Sequence, residues 1–369
     1  MQVESIINFI ENWAPPGAAW DKDNVGLQVG SKKSEINNIL ISLELTEAVL
    51  KQAIKKSCNF IFTHHPFLFK PLSRIDTQSD PKGRIIKILL QNDVTVYSAH
   101  TNLDFTKNGV SFTLAKQLGL MNIRFLVNQE SNQYKLVVFV PEAAAEKVSD
   151  AIFSSGGGII GEYSNCGYRT NGKGSFKGSA ESNPKIGEKE KLEYVDEVRL
   201  EVLVDCWKLS SVIKNMIVVH PYEEPAFDIY PLKNKNVNYG FGAIGELEQA
   251  LNQKSFMQSV DKALKAKNLR YSKWKVSSIK RVAVCGGSGM ELLNAAINAG
   301  ADAFVTADIK YHTFEEAEDK ILLIDAGHYE TEVIVLNQVK KEFEKFIRSK
   351  GENIKVYKYS GSTNPVKYF

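Results

Sequence analysis

The sequence predicts an α/β protein in which a core of two βαβ-type halves is interrupted by an α+β, ferredoxin-like insert. Three observations lead there. Near the amino end, apolar runs of strand length alternate with segments of helical period, and the carboxyl-terminal third returns to the same alternation. The stretch between them has a different composition, rich in glycine clusters. At 369 residues the chain is also longer than one compact domain needs. The expected division is a core of residues 1–125 and 238–369 with an insert of residues 126–237.

In the first half, Asn38 to Leu43 reads as a strand, and Thr46 to Lys56 as a helix because Val49, Leu50, Ala53 and Ile54 recur at helical spacing. Asn59 to Phe62 is a second strand that stops at Thr63-His64-His65-Pro66. Arg84 to Leu90 is helical, and Val94 to Tyr97 is a third strand ending at Ser98-Ala99-His100. Such alternation implies a parallel sheet with helices on its faces. The insert reads β-α-β-β-α-β: strand Tyr134 to Val140, helix Glu142 to Phe153, two strands punctuated by glycines, of which the second is Asp196 to Asp205, helix Trp207 to Val219 and strand Ala226 to Tyr230. The charged run Asn183 to Lys191 is a solvated loop. In the second half, Val282 to Val284 is a strand, Gly286-Gly287-Ser288-Gly289 a turn and Met290 to Ala299 a helix. Strand Ala303 to Thr306, helix Tyr311 to Glu318 and strand Ile321 to Ile324 follow. The two halves together suggest one sheet domain interrupted by an insertion.

Forty-six basic residues against 43 acidic ones leave a net charge of +3, too balanced for a nucleic-acid footprint, and no basic stripe stands out. Cys58, Cys166, Cys206 and Cys285 are far apart and form no C-x-x-C pair, which argues against a zinc ribbon or a disulfide framework and suits a reducing compartment. Met1 to Pro15 carries Glu4 and Glu11 and lacks the basic-then-apolar layout of an export signal. The expectation is a cytoplasmic protein without a membrane segment.

Seven polar residues fall just past the ends of predicted strands, where open α/β sheets hold their ligands: His64, His65, His100, Asp104, His328, Glu330 and Glu332. Five of them, His64, His65, Asp104, His328 and Glu332, are the candidate metal ligands. Imidazole with carboxylate suits zinc, iron or manganese, and the lack of cysteine in these motifs disfavours a closed thiolate site. If Gly327 opens a helix, His328 and Glu332 share a face at i and i+4. His64 and His65 would point to opposite faces of a regular strand, but at a strand end before Pro66 they can serve adjacent ions. Such a set suffices for two divalent metals about 3.5–4 Å apart. Other features read as structural. His220, in His220-Pro221-Tyr222-Glu223, is expected to be a polar loop residue, and His312 an outer candidate or an exposed helix residue. The Gly286 to Gly289 segment matches no phosphate-loop pattern and is favoured as a tight turn over an anion cradle. Trp20 to Gly30 is expected to be a hairpin or loop over the sheet, without evident chemistry of its own.

These motifs in order resemble the Nif-three-like family, also labelled GTP cyclohydrolase I type 2 homologues. They are Trp20-Asp21 to Gly30, Thr63-His64-His65-Pro66, Ala99-His100-Thr101-Asn102-Leu103-Asp104, Gly286-Gly287-Ser288-Gly289, Ala301-Asp302-Ala303 to Asp308 and Gly327-His328-Tyr329-Glu330-Thr331-Glu332. The resemblance spans roughly Met1 to Ile123 and Gly240 to Phe369. The insert resembles the PII-like or CutA-like domain of longer members, best at His220-Pro221-Tyr222-Glu223. The resemblance implies a dinuclear centre held by His64, His65, Asp104, His328 and Glu332, in a homohexamer. It implies a metal-dependent hydrolase that opens the ring of GTP to give dihydroneopterin triphosphate, with His100 as a catalytic proton shuttle. The alternative is a non-enzymatic metal-binding or regulatory hexamer that senses a ligand or partner through the insert. Two segments depart from the family pattern: Gly242-Ala243-Ile244-Gly245 has alanine where arginine is usual, and Ser362-Thr363-Asn364-Pro365-Val366 has asparagine and valine where aspartate and phenylalanine are expected. Neither includes a proposed ligand.

Overall fold

The computed structural model describes residues 1–266, 268–274 and 278–367. The chain divides into two compact units, Met1–Val127 with Tyr239–Phe369, and Asn128–Asn238. The architecture is mixed α/β. Among the described residues no helix is long and apolar enough to cross a membrane.

The first unit holds two sheets, each built mainly from one half of the chain. In the first, Gly26–Val29, Thr95–Ser98, Phe60–Thr63, Asn38–Ser42 and Lys355–Lys358 lie side by side. The last four strands are mutually parallel, and Gly26–Val29 pairs antiparallel with Thr95–Ser98. The second half of the Trp20 to Gly30 segment is therefore an edge strand. The second sheet orders Arg270–Tyr271, Leu322–Asp325, Ala303–Ala307, Ile279–Ser288, Asn236–Leu251 and Leu120–Gln129, with a parallel centre over the second, third and fourth of these. Each half of the chain lends the other a strand. Lys355–Lys358 closes the first sheet, and Leu120–Gln129 closes the second.

Both sheets are covered on both faces, as parallel sheets must be to bury their apolar strands. Over one face of the first sheet lies helix Val3–Trp13, which buries Val3, Ile6, Ile7 and Ile10 at helical spacing. Helix Val335–Ser349 lies beside it, burying Val335, Leu336, Val339, Phe343 and Ile347. Helices Glu47–Lys55 and Pro81–Gln91 cover the other face. Pro81–Gln91 starts three residues earlier than its periodicity predicts because Asp80 caps it, accepting from the Lys82 and Gly83 N–H groups, and Pro81 tolerates the first turn.

In the second unit, strands Gln133–Pro141, Gly167–Lys177, Leu192–Asp205 and Phe227–Pro231 form one antiparallel sheet, in the order second, third, first, fourth. Helices Ala145–Ser154 and Leu209–Val219 pack on one face over Val138, Leu200 and Val202. His220 is buried where the second of these helices ends. Its Nε2 donates to the Phe139 carbonyl at 3.1 Å and its Nδ1 accepts the Tyr222 N–H at 3.1 Å, so both ring nitrogens are committed to the neutral form. Burial lowers its pKa below the ordinary 6.5. The unfolded chain therefore binds the proton more readily, and this part of the stability, complete above about pH 6.5, falls away as the pH drops through the folded value. His220→Gln, which can still donate and accept, is expected to flatten the dependence of melting temperature on pH between about 5 and 7. An unchanged slope would assign that acid sensitivity to other groups.

Candidate metal centre

The site forms where the carboxyl ends of parallel strands from the two sheets of the first unit meet. From the first sheet, Asn38–Ser42 runs on to Glu44, Phe60–Thr63 to His64 and His65, and Thr95–Ser98 to His100. From the second sheet, Ala303–Ala307 leads to Asp308 and Leu322–Asp325 to Gly327, which has φ +89° and opens helix His328–Glu332. Glycine suits that left-handed position, and the helix it starts sets His328 and Glu332 one turn apart, Nε2 to Oε1 3.1 Å.

Glu332 is buried and central. Its carboxylate lies 2.9 Å from His65 Nε2, 3.1 Å from His328 Nε2 and 3.8 Å from His64 Nε2, while Asp104 Oδ1 lies 3.5 Å from His64 Nε2. His64 and His65 do not diverge as they would on a regular strand, since their ring centroids are 5.0 Å apart. Two donor groups have ligand atoms all within 4.8 Å of one another: His64 with His65 and His100, and His65 with His328 and Glu332. All five expected ligands are thus brought together, and His100 stands among them rather than apart. Glu330 does not join them. Its Oε1 accepts from Asn364 Nδ2 at 3.0 Å. His312 is an exposed helix residue near Glu315, and Cys285 is a partly buried thiol whose pKa desolvation pushes upward.

The four site histidines are each held through Nδ1: His64 by the Ala99 carbonyl at 2.8 Å, His65 by Glu44 at 3.0 Å, His100 by Asp23 at 2.9 Å and His328 by Asp308 at 2.7 Å. This leaves every Nε2 for the centre. Backing one imidazole nitrogen with an oxygen fixes the tautomer and aims the other, the usual support of metal-binding histidines. Glu44, Asp23 and Asp308 were not singled out from the sequence. The available signal was their position: Glu44 and Asp308 lie just past strand ends, whereas Asp23 meets His100 in space from 77 residues earlier in the sequence.

His64 Nε2, Asp104 Oδ1 and Glu44 Oε2 are buried with no hydrogen-bond partner, and buried Glu332 Oε2 has only the His65 Nε2 contact at 2.9 Å. Buried polar atoms are rarely left so, and such a cluster of nitrogen and oxygen donors could hold a metal ion. The charges reflect this. Burial, reinforced by repulsion from Glu332, raises Asp104 well above the carboxylate range. Burial opposes ionisation of Glu332 too, but His328, His64 and His65 outweigh it and hold its pKa low. Burial likewise works against a charge on His65, yet Glu332 and Glu44 lift it to about 9, and Asp308 with Glu332 lifts His328 to about 10. His64, fully enclosed, is lowered by burial.

The Gly286 to Gly289 segment is neither a free turn nor an anion cradle. Strand Ile279–Ser288 runs through it with a register shift between Val284 and Ser288, and the Gly286 and Gly287 N–H groups are taken by Ser111 Oγ and Thr331 Oγ1. Gly287 has φ +62°, and a Cβ there would sit 2.3 Å from Glu332 Oε1. Its missing side chain is what lets the Glu332 carboxylate lie down in the site. Gly287→Ala is expected to displace Glu332 and weaken divalent-ion affinity about 10–100-fold, the size of effect seen when a ligand's supporting contact is removed. Equilibrium dialysis of zinc would detect it, and unchanged affinity would mean that Glu332 is not held by this contact.

Strand ends of an α/β core converging on histidines and carboxylates define a protein with a candidate metal centre of nitrogen and oxygen donors. The chain belongs to the Duf34/NIF3 (NGG1p interacting factor 3) family, whose model matches residues 1–365. It is 37% identical over 367 residues to a Halalkalibacterium halodurans protein named GTP cyclohydrolase 1 type 2 homolog, covering 99% of this chain and 98% of that one. A Staphylococcus epidermidis protein of the same name is 36% identical over 369 residues, the full length of both. Among solved structures, a Bacillus cereus protein related to NIF3 superposes with a TM-score of 0.85 at 35% identity, over 100% of this chain and 99% of that one. A Staphylococcus aureus protein gives 0.78 at 29% identity, with the same coverage.

Proposed function

We propose that the cluster holds two divalent ions, zinc, iron or manganese, and that the protein is a metal-dependent hydrolase acting on a nucleotide, with ring opening of GTP as the leading reaction. The observation that carries this reading is the set of four imidazoles clamped at Nδ1 and facing buried carboxylate oxygens that lack partners. His64, His65, Asp104, His328 and Glu332 would hold the ions, His65 being common to the two donor groups. Bound there, such ions would supply Lewis acidity at neutral pH. The relatives' name, GTP cyclohydrolase 1 type 2 homolog, supports the choice of nucleotide.

The chain's own residues then have distinct tasks. Glu332 and Asp104 would offset the positive charge of bound ions. Glu44 and Asp308 keep the Nε2 atoms of His65 and His328 aimed inward. His100, backed at Nδ1 by Asp23, is placed to carry a proton at Nε2, and burial notwithstanding, His100 and Thr101 hold Asp23 ionised with a pKa of about 2. Assay of metal-loaded protein against a panel of nucleotides and phosphoesters tests the reading, with His64→Ala as the inactive control. His100→Ala is expected to slow turnover while metal is retained. If it loses metal instead, His100 is a ligand and not the shuttle.

A second reading, a regulatory hexamer that senses a small molecule, is favoured by one observation in the insert. A cavity of about 670 Å³ lies beside Phe139, Phe176, Glu197 and Tyr222, with the Tyr222 hydroxyl donating to Glu197 at 2.7 Å. Absence of any turnover by metal-replete protein would favour it.

A further inference from the structure

Beside the candidate metal centre, on the Asp104 side, lies a second cavity of about 270 Å³ that the reading above does not use. Trp20, Phe105 and Phe241 form its aromatic walls. The Trp20 and Phe105 rings meet edge-on with centroids 5.3 Å apart, and Phe105 and Phe241 do so at 4.5 Å. Trp20 is 53% exposed, so its ring stands at the mouth of the cleft rather than in a core. It is nevertheless tied to the centre. Its backbone N–H donates to Thr101 Oγ1 at 3.1 Å, and Asp23, three residues on, accepts from Thr101 and engages His100.

The charged groups are of one sign. The Asp104 and Glu291 carboxylates line the cavity with the Ser111 and Ser288 hydroxyls and the Cys285 thiol, whereas none of its lining residues is lysine or arginine. Such walls disfavour a phosphate, which needs cations or a run of free N–H groups. They suit a flat ring, which stacks on aromatic side chains while its N–H groups meet the carboxylates.

We propose that this cleft is the substrate-binding pocket of the centre, and that it seats an uncharged nitrogen heterocycle bearing N–H groups, ring between Trp20 and Phe241 and edge toward Asp104, any phosphates remaining outside. The assignment rests on the reading of the Asp104 cluster as the reaction centre. It accounts for the Trp20-to-Asp23 segment, one part of which holds His100 while the other walls the pocket.

Guanosine is the probe. Titrated calorimetrically into zinc-loaded protein, it is expected to bind and to quench Trp20 fluorescence, with inorganic triphosphate failing to compete. Trp20→Ala and the milder Phe241→Leu are each expected to weaken guanosine binding roughly 5- to 150-fold, the range for loss of one base-stacking side chain, with metal content unchanged. Guanosine binding that is absent, that is equal in both variants and wild type, or that triphosphate displaces would overturn the proposal. The two readings separate cleanly. GTP turnover with an unaltered KM in both variants would leave the hydrolase standing and remove the pocket. Guanosine binding that Trp20→Ala weakens, in a protein that turns over no nucleotide, would keep the pocket and remove the hydrolase.

Discussion

Glu332→Gln is expected to reduce the metal content of the protein from the two ions per chain proposed above to below one, and to abolish the stabilisation expected from added zinc. Glu332 is the carboxylate nearest the centre of the cluster, within 3.1 Å of His65 and His328 and within 3.8 Å of His64. Glutamine keeps its size but removes the charge and turns one oxygen into a donor, which faces imidazole nitrogens that must accept a cation. An ion present at about a thousand times its Kd stabilises a fold by about 4 kcal/mol, so chelator-stripped and zinc-loaded wild type should melt at clearly different temperatures. In the variant the two curves should coincide. Elemental analysis after zinc reconstitution gives the stoichiometry directly, and two retained ions would remove Glu332 from the ligand set.

The second large effect lies outside the candidate donor set, on the helix that follows Glu332. Phe343→Ala is expected to destabilise the first unit by about 3–5 kcal/mol, the usual cost of emptying a large buried aromatic site. Phe343 is fully buried on helix Val335–Ser349, with its ring centroid 6.2 Å from Phe9 and 5.4 Å from Phe62. Phe62 is in the strand that ends one residue before His64. The carboxyl-terminal helix thus packs under the strand that presents the two adjacent histidines, and its loss should loosen zinc binding as well as lower the denaturant midpoint. A change below about 1 kcal/mol would show that the neighbouring side chains close the cavity.

The positions of these aromatics show where local pattern stopped being informative. Short apolar runs bounded by Thr63-His64 or Ser98-Ala99-His100 were legible as strands because β-branched and aromatic residues end abruptly at polar ones. The helix Val3–Trp13 has equally regular apolar spacing, yet the sequence reading used that segment only to ask about export, so its contribution to the core was missed. Gly286 to Gly289 misled for a physical reason. Glycine clusters usually mark turns, but here they keep space for the Glu332 carboxylate and for close strand contacts, a requirement set by residues more than forty positions away.

Residue chemistry and strand-end placement by themselves singled out the candidate donor set: His64, His65, Asp104, His328 and Glu332 carry nitrogen and oxygen donors at positions where α/β sheets gather their ligands. The i and i+4 relation of His328 and Glu332 also followed from helix geometry alone. Only the tertiary structure decided that two sheets meet at the centre, that His100 stands among the candidate donors, and that Ala99, Glu44, Asp23 and Asp308 orient the four imidazoles. Those facts depend on contacts between segments 20 to 270 residues apart. Periodicity reports which face of an element is buried, but which elements share that burial is chosen by the packing of the whole core.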